Sequence, residues 1–382
     1  MKPIEMVDLR GQYERIRPDV DAAIREVVDS GHFIKGPAVG KFECELAGYL
    51  GSPYVLGVAN GTDALQVAMM ALDIGSGDEV VTTPFTFIAT AEAAALLGAR
   101  AVFADIEPRS FNIDPQKIEA CITSRTKAIV PVHLFGQPAD MDPIMEIAGR
   151  HDIPVIEDNA QSVGATYRGQ TTGRIGEIGT LSFFPSKNLG AYGDAGAVMC
   201  EDESKYRRMR MIASHGSEKK YFNELVGVNS RLDAIQAAVL GAKLRHLDDF
   251  VARRVAAADR YDELLADVEG VTIPWRRPDS THVFHQYTIR VSSDLPGGRD
   301  ALAARLREAG VPHAVYYPKG LHQLPVFADG RHASAPQPLI ETERACEEVL
   351  SLPMHTELTA DQQEYIADVV REHAGAAAGV TG

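Results

Sequence analysis

The sequence predicts an α/β fold: a mainly parallel central sheet flanked by helices, followed by a smaller C-terminal α/β domain. Two observations predict it. From Tyr54 to Cys200 short apolar runs alternate with segments of helical spacing, the pattern of parallel strands joined by crossover helices. At 382 residues the chain is also long for one core, so a large domain plus a smaller one is expected. The division is expected between residues 1–248 and 249–382.

Taken in order, Val20, Ile24, Val27 and Val28 mark an amphipathic helix that stops at Gly31. Strands are expected at Tyr54–Val58, Glu79–Thr82, Ala101–Ala104, Ala128–Val132, Pro154–Ile156, Thr180–Phe183 and Ala197–Cys200. Between them, Thr62–Leu72, Ala89–Leu97 and Asp142–His151 carry apolar residues at helical spacing. Arg231 to about Ala266 reads as one long helical stretch that Gly241 or the Asp248-Asp249 pair could break. A strand (Val283–Val291), a helix (Arg299–Ala309) and a second strand (His313–Tyr317) then outline the smaller domain. The glycine- and alanine-rich tail 375–382 is expected to be disordered.

Composition narrows the function class. The chain is 45% hydrophobic and 24% charged, ordinary for a soluble enzyme. Its formal net charge of -15 argues against nucleic acid as a partner, because phosphate backbones need a basic face. The four cysteines are scattered, without CxxC or histidine pairing, and are expected to be buried thiols in a reducing compartment, with no metal. No charged-then-apolar leader and no apolar run of about eighteen residues is present. A cytoplasmic protein with no membrane partner is expected.

Four segments carry chemistry. Lys187 lies in Ser182-Phe183-Phe184-Pro185-Ser186-Lys187-Asn188, just before Gly190, Gly193 and Gly196. The aromatics, proline and glycines describe a buried, shaped turn and not a surface loop. Upstream, Val155-Ile156-Glu157 is an apolar strand that ends on Asp158, with Gln161 three residues further on. A strand-end aspartate can simply cap a turn. Beside a lysine amine, however, it is what pyridoxal phosphate (PLP) requires: an amine to bond its aldehyde, and a carboxylate to keep its ring nitrogen protonated. Asn60-Gly61-Thr62-Asp63 follows a strand and opens a helix, where backbone N–H groups form a phosphate site. An ordinary helix cap by Thr62 is compatible with that role. The chain lacks GxGxxG, which counts against a dinucleotide. In Pro84-Phe85-Thr86-Phe87, at the end of the next strand, an aromatic could stack on a planar cofactor or pack in the core.

Together these segments resemble the DegT/DnrJ/StrS family of sugar-nucleotide aminotransferases, PLP enzymes of fold type I. The resemblance runs from Val7-Asp8-Leu9 to Ser351-Leu352-Pro353-Met354-His355. It is carried by Asn60–Leu65, Val155–Asp158 with Gln161, Ser182–Lys187 and Gly227-Val228-Asn229-Ser230-Arg231-Leu232-Asp233. It implies that Lys187 bonds the cofactor, Asp158 pairs with its ring nitrogen and Gln161 contacts its ring hydroxyl. Phe87 would stack on the ring, and Gly61, Thr62 and Ser182 would hold the phosphate. Asn229 would reach the phosphate of the neighbouring subunit's cofactor, making the enzyme a homodimer with a shared active site. Asn159 departs from the small residue common in the family, and its side chain is expected to point away from the ring. Family members that dehydrate sugars carry histidine where this chain has Lys187, so the resemblance implies a transaminase.

Within the family the chain is most similar to enzymes that aminate the C3 ketone of a UDP-linked 2-acetamido-3-oxo-glucuronate, with glutamate as donor. Arg231 would then pair with the sugar carboxylate, or alternatively anchor the start of a helix. Tyr316 and Tyr317 would also face the substrate. Tyr316 stands where that subgroup often has histidine, so a dTDP-3-keto-6-deoxyhexose is the competing substrate. A C4-keto sugar or a cyclitol ketone is a further alternative. A non-catalytic sensor of sugar nucleotides is disfavoured, since binding alone needs no reactive amine.

Overall fold

The computed structural model describes residues 3–378. Helix α1 (Leu9–Ser30) ends where the sequence indicates, with Gly31 in the left-handed conformation. Helix α2 (Pro37–Leu50) was not anticipated. It starts at a proline, which suits a first helical position, and buries Phe42, Leu46 and Leu50 at four-residue spacing. Strand β1 (Tyr54–Val58) leads into α3 (Gly61–Ala71), and β2 (Glu79–Thr82) leads into α4 (Ala89–Leu96). Then come β3 (Arg100–Phe103), β4 (Thr126–Val130), β5 (Ile156–Asp158), the short ribbon β6 (Thr166–Tyr167) and β7 (Gln170–Thr171), β8 (Ile178–Ser182) and β9 (Gly196–Cys200).

The sheet comprises two four-stranded ladders, β1-β9-β8-β5 and β12-β3-β2-β4, where β12 is Ala333–Ser334. Parallel bridges Ile129↔Val155 and Val132↔Asp158 join them edge to edge. Among the described residues of this sheet only β9 runs against its neighbours. The carboxyl ends of β1, β8, β5, β4 and β2 therefore share one edge, where ligands collect in such sheets. Apolar clusters cover both faces. One contains Leu65, Val67 and Met69 of α3; the other contains Phe42, Leu46 and Leu50 of α2.

A second core forms around the antiparallel strands β10 (Val271–Thr272), β11 (Tyr287–Val291) and β13 (Val349–Leu352). It buries Tyr261, Tyr287, Leu302, Leu350 and Ile366. The chain crosses between the two cores in both directions. The two residues of β12 pair with β3 of the large sheet, and Met354 N–H returns to the Met6 carbonyl.

Several expected elements differ. The 231–266 stretch is two helices, Ala234–Leu244 and Leu247–Leu265, broken at Arg245-His246 and not at Gly241 or Asp248-Asp249. Those two aspartates sit in the second helix's first turn, where the helix dipole favours carboxylates. The expected strand His313–Tyr317 makes only the bridge Ala314↔Ser351. Its tyrosines turn instead toward the carboxyl edge of the sheet. The expected strand Val283–Val291 is regular only from Tyr287. Of the tail, Gly375 to Ala378 continue the last helix (Ala360–Ala378), and 379–382 lie outside the described residues. Cys121, Cys200 and Cys346 are buried, but Cys44 is exposed on α2, contrary to expectation. Among the described residues no helix is long and apolar enough to cross a membrane.

Candidate active site

A cleft of about 640 Å³ opens at the carboxyl edge of the sheet. It brings together Lys187, Asp158, Gln161, Gly61, Thr62 and Ser182, with Phe87, Tyr316 and Tyr317 at its walls. These nine positions come from five separate stretches of chain. Asn229 and Arg231 do not line it.

Asp158 is the last residue of β5 and is only 5% exposed. Its Oδ2 accepts the Thr90 hydroxyl at 2.7 Å and its Oδ1 accepts the Ala160 N–H at 3.2 Å. Thr90, buried on α4, had no motif to announce it. Gln161 is oriented by accepting the Phe135 N–H at 2.8 Å, which leaves its amide NH2 directed at the Tyr317 hydroxyl, 3.5 Å away. Burial raises the Tyr317 phenol well above its ordinary value, so it stays protonated. Asn159 is buried outside the cleft, donating to the Thr172 carbonyl at 3.1 Å.

Lys187 sits on a tight turn in which its N–H donates to the Phe184 carbonyl at 2.8 Å. Two buried side chains hold this turn from below. Asn188 donates to the Val283 carbonyl at 2.9 Å, and Lys243 donates to the Gly190 carbonyl at 2.6 Å. Burial lowers the Lys187 amine to about 8, with Asp158 pulling it upward. An amine in that range deprotonates readily near neutral pH, which suits nucleophile and proton carrier alike. His285, also in the cleft, is held neutral by burial and by the neighbouring Lys187 and Arg254 charges.

The residues fit a phosphorylated cofactor. Asn60, not Thr62, caps α3, accepting the Asp63 N–H at 2.8 Å. The N–H groups of Gly61 and Thr62 then have no hydrogen-bond partner among the described residues. Gly61 and Thr62 line the cleft beside Ser182, and unpaired N–H groups at a helix N-terminus suit an anion. Gly61 is required there, because a Cβ would stand 2.6 Å from Ser182 Cβ. Of the two phenylalanines after β2, Phe85 is core, packed edge-on to Tyr317 at 5.8 Å, whereas Phe87 is 59% exposed over the cleft. One ring is available to a planar ligand.

Asn229 is exposed on a segment pinned to the end of β1, where Ser230 Oγ accepts the Ala59 N–H at 3.1 Å. Arg231 makes no hydrogen bond or ion pair among the described residues, although its charge adds to burial in depressing the Lys35 amine. The same segment exposes Tyr221 (83%), Phe222 (61%) and Val226 (86%).

The model of the DegT/DnrJ/EryC1/StrS aminotransferase family matches residues 14–371. The chain is 46% identical over 352 residues to a UDP-2-acetamido-2-deoxy-3-oxo-D-glucuronate aminotransferase of Pseudomonas aeruginosa, covering 92% of this chain and 95% of that one. It is 41% identical over 373 residues to a dTDP-3-amino-3,4,6-trideoxy-alpha-D-glucose transaminase of Streptomyces venezuelae, covering 97% and 96%. The crystal structure of S. venezuelae DesV in complex with a ketimine intermediate superposes with a TM-score of 0.93 at 40% identity, covering 98% of this chain and 99% of that one.

Proposed function

The chain belongs to the DegT/DnrJ/EryC1/StrS aminotransferase family, PLP-dependent transaminases of sugar nucleotides, and we propose that it moves an amino group from glutamate to the C3 ketone of a UDP-2-acetamido-3-oxo-glucuronate. The observation that carries this choice is the 46% identity to the P. aeruginosa enzyme of that name.

Bound PLP would supply an aldehyde carbon for the amine and an electron-withdrawing pyridinium ring. Asp158 would hold the proton of the ring nitrogen, its carboxylate fixed by Thr90 and Ala160. Gln161 would orient the ring through its hydroxyl, and Phe87 would cover one face. Gly61, Thr62 and Ser182 would take the phosphate. Lys187 Nζ would bond the cofactor at rest, then carry a proton to and from the substrate carbon once displaced. In this reading glutamate loads the amine and the keto sugar removes it.

Asn229 and Arg231 would act on the cleft of a second copy in a homodimer. In support, both lie outside their own chain's cleft, and the Asn229 segment carries Tyr221, Phe222 and Val226, an apolar surface that a partner would cover. In the partner's cleft Arg231 would pair with the sugar carboxylate. Tyr316 favours a second reading, amination of a dTDP-3-keto-6-deoxyhexose, which has no carboxylate to bind. The 41% identity to the S. venezuelae transaminase supports it too.

Glutamate should shift the visible absorption of the PLP-loaded protein, and UDP-3-oxo-uronate should reverse the shift. Binding of the two 3-amino products then discriminates the readings. Arg231→Ala should weaken the uronate product by about 30-fold or more, the effect of breaking a desolvated ion pair, and leave the 6-deoxy product nearly unchanged. Equal losses, or no uronate binding by the wild type, would favour the dTDP sugar.

A further inference from the structure

Behind Asp158 lies a carboxylate that this chemistry does not use. Glu157 is fully buried and, as the preceding residue of β5, points to the opposite face of the strand. Its Oε1 accepts the N–H groups of Ile175 and Gly176, each at 2.6 Å, and its Oε2 accepts the Gly173 N–H at 2.7 Å. The fourth contact is His133 Nε2 at 2.8 Å, also fully buried. The Ala139 N–H donates to His133 Nδ1 at 3.1 Å, so Nε2 carries the ring proton and His133 is the donor to Glu157. Every group reaching this carboxyl is a donor, three of them backbone N–H groups, and among the described residues no lysine or arginine pairs with it.

The pair is tied to Asp158 through the main chain. The His133 N–H donates to the Asp158 carbonyl at 3.0 Å, and the Asp158 N–H donates to the Pro131 carbonyl at 2.9 Å. The strand end that presents Asp158 is therefore clamped on one side by the chain leaving β4. On the other, Glu157 draws the 173–176 turn against it. We propose that Glu157 and His133 are positioning residues that fix the Asp158 carboxylate in the cleft. The proposal rests on the reading of Asp158 as the partner of the cofactor's ring nitrogen.

Glu157→Gln sets a donor against at least one of those N–H groups and must displace the strand end. The test compares wild type, Glu157→Gln, Asp158→Asn and the double variant as PLP-loaded enzymes, reading kcat and the pH dependence of the visible cofactor band. Glu157→Gln is expected to lower kcat at least about fivefold and to shift the band's pH midpoint. In the Asp158→Asn background it should add less than about twofold, because the carboxylate it positions is gone. Equal losses in both backgrounds would overturn the proposal. So would a lower thermal midpoint with kcat and the band unchanged, the mark of a purely structural role. Full activity of Asp158→Asn alone would instead remove the reading of Asp158 on which the proposal stands. If Glu157→Gln does not fold, His133→Leu, which deletes one donor, should show the same coupling. His133→Gln, whose amide can still donate to Glu157, should restore both readouts. Failure of that rescue would overturn the assignment of His133.

Discussion

Thr90 donates its hydroxyl to Asp158 Oδ2 at 2.7 Å, from the second residue of α4 to the last residue of β5. The bond is buried at both ends, so the carboxylate cannot rotate away from the cleft without leaving a hydroxyl unpaired. Hydrogen bonds to charged groups are worth about 1.5–3 kcal/mol. Thr90→Val keeps the shape and deletes the bond. The expected result is a fall in kcat of about tenfold with the fold retained, and recovery in Thr90→Ser, both read by steady-state kinetics.

Lys187→Ala is expected to lower transamination by more than about 10³-fold, since the variant loses both nucleophile and proton carrier. Circular dichroism should remain that of the wild type, because the turn at 184–190 is held by the main chain, Asn188 and Lys243. More than a trace of turnover would show that another amine serves.

The shared-site reading makes a mixing experiment decisive. Lys187→Ala and Asn229→Ala are each expected to be severely impaired as homodimers. In a heterodimer both defects fall on one of the two sites, leaving the other wholly native, so activity should reappear when subunits exchange. No recovery despite demonstrated exchange would confine Asn229 to its own subunit.

Lys243 should leave a signature in the pH dependence of stability. Its amine is fully buried with no carboxylate partner among the described residues, and burial lowers it to about 7 from the ordinary 10.5. Between those values the unfolded chain binds more protons than the folded one, so stability rises with pH. Below about pH 7 the cost of burying the charge is present in full. The difference in unfolding free energy between wild type and Lys243→Met should therefore grow in the wild type's favour from pH 7 to about 10. The slope should be at most about 1.4 kcal/mol per pH unit. Denaturant titrations of the two proteins at several pH values measure it.

What could be read from the sequence follows from how local each signal is. β1 and β2 have the bounds their apolar runs indicate. β5 lies two residues later than expected, which places Asp158 within the strand. That Lys187 and Asp158 would share one cleft was legible because strand-end and turn residues announce themselves over a few positions. Thr90, Lys243 and His133 were not, since each acts on a carbonyl or carboxylate far away in the chain and has no spacing of its own. The 231–266 stretch shows the same limit: Gly241 is tolerated inside a packed helix, while the break falls at Arg245-His246, without glycine or proline. The apolar run Ala314–Tyr317 reads like a strand, but Tyr317 packs against Phe85 and both tyrosines line the cleft.

The pairing of β12 with β3 affects how the protein is made as well as how it is held. β3 lies at the margin of the large sheet, and among the described residues its outer edge is covered only by Ala333 and Ser334. While a ribosome is still synthesising the chain short of residue 334, that edge stays bare, with unpaired N–H and C=O groups that can recruit another strand. The walls at Tyr316 and Tyr317 also arrive late. A nascent chain carrying Lys187 and Asp158 thus has the chemical groups but neither the closed cleft nor the protected edge. Fragments ending near residue 248 should aggregate, and newly made protein should acquire its cofactor only once nearly all of it has been translated.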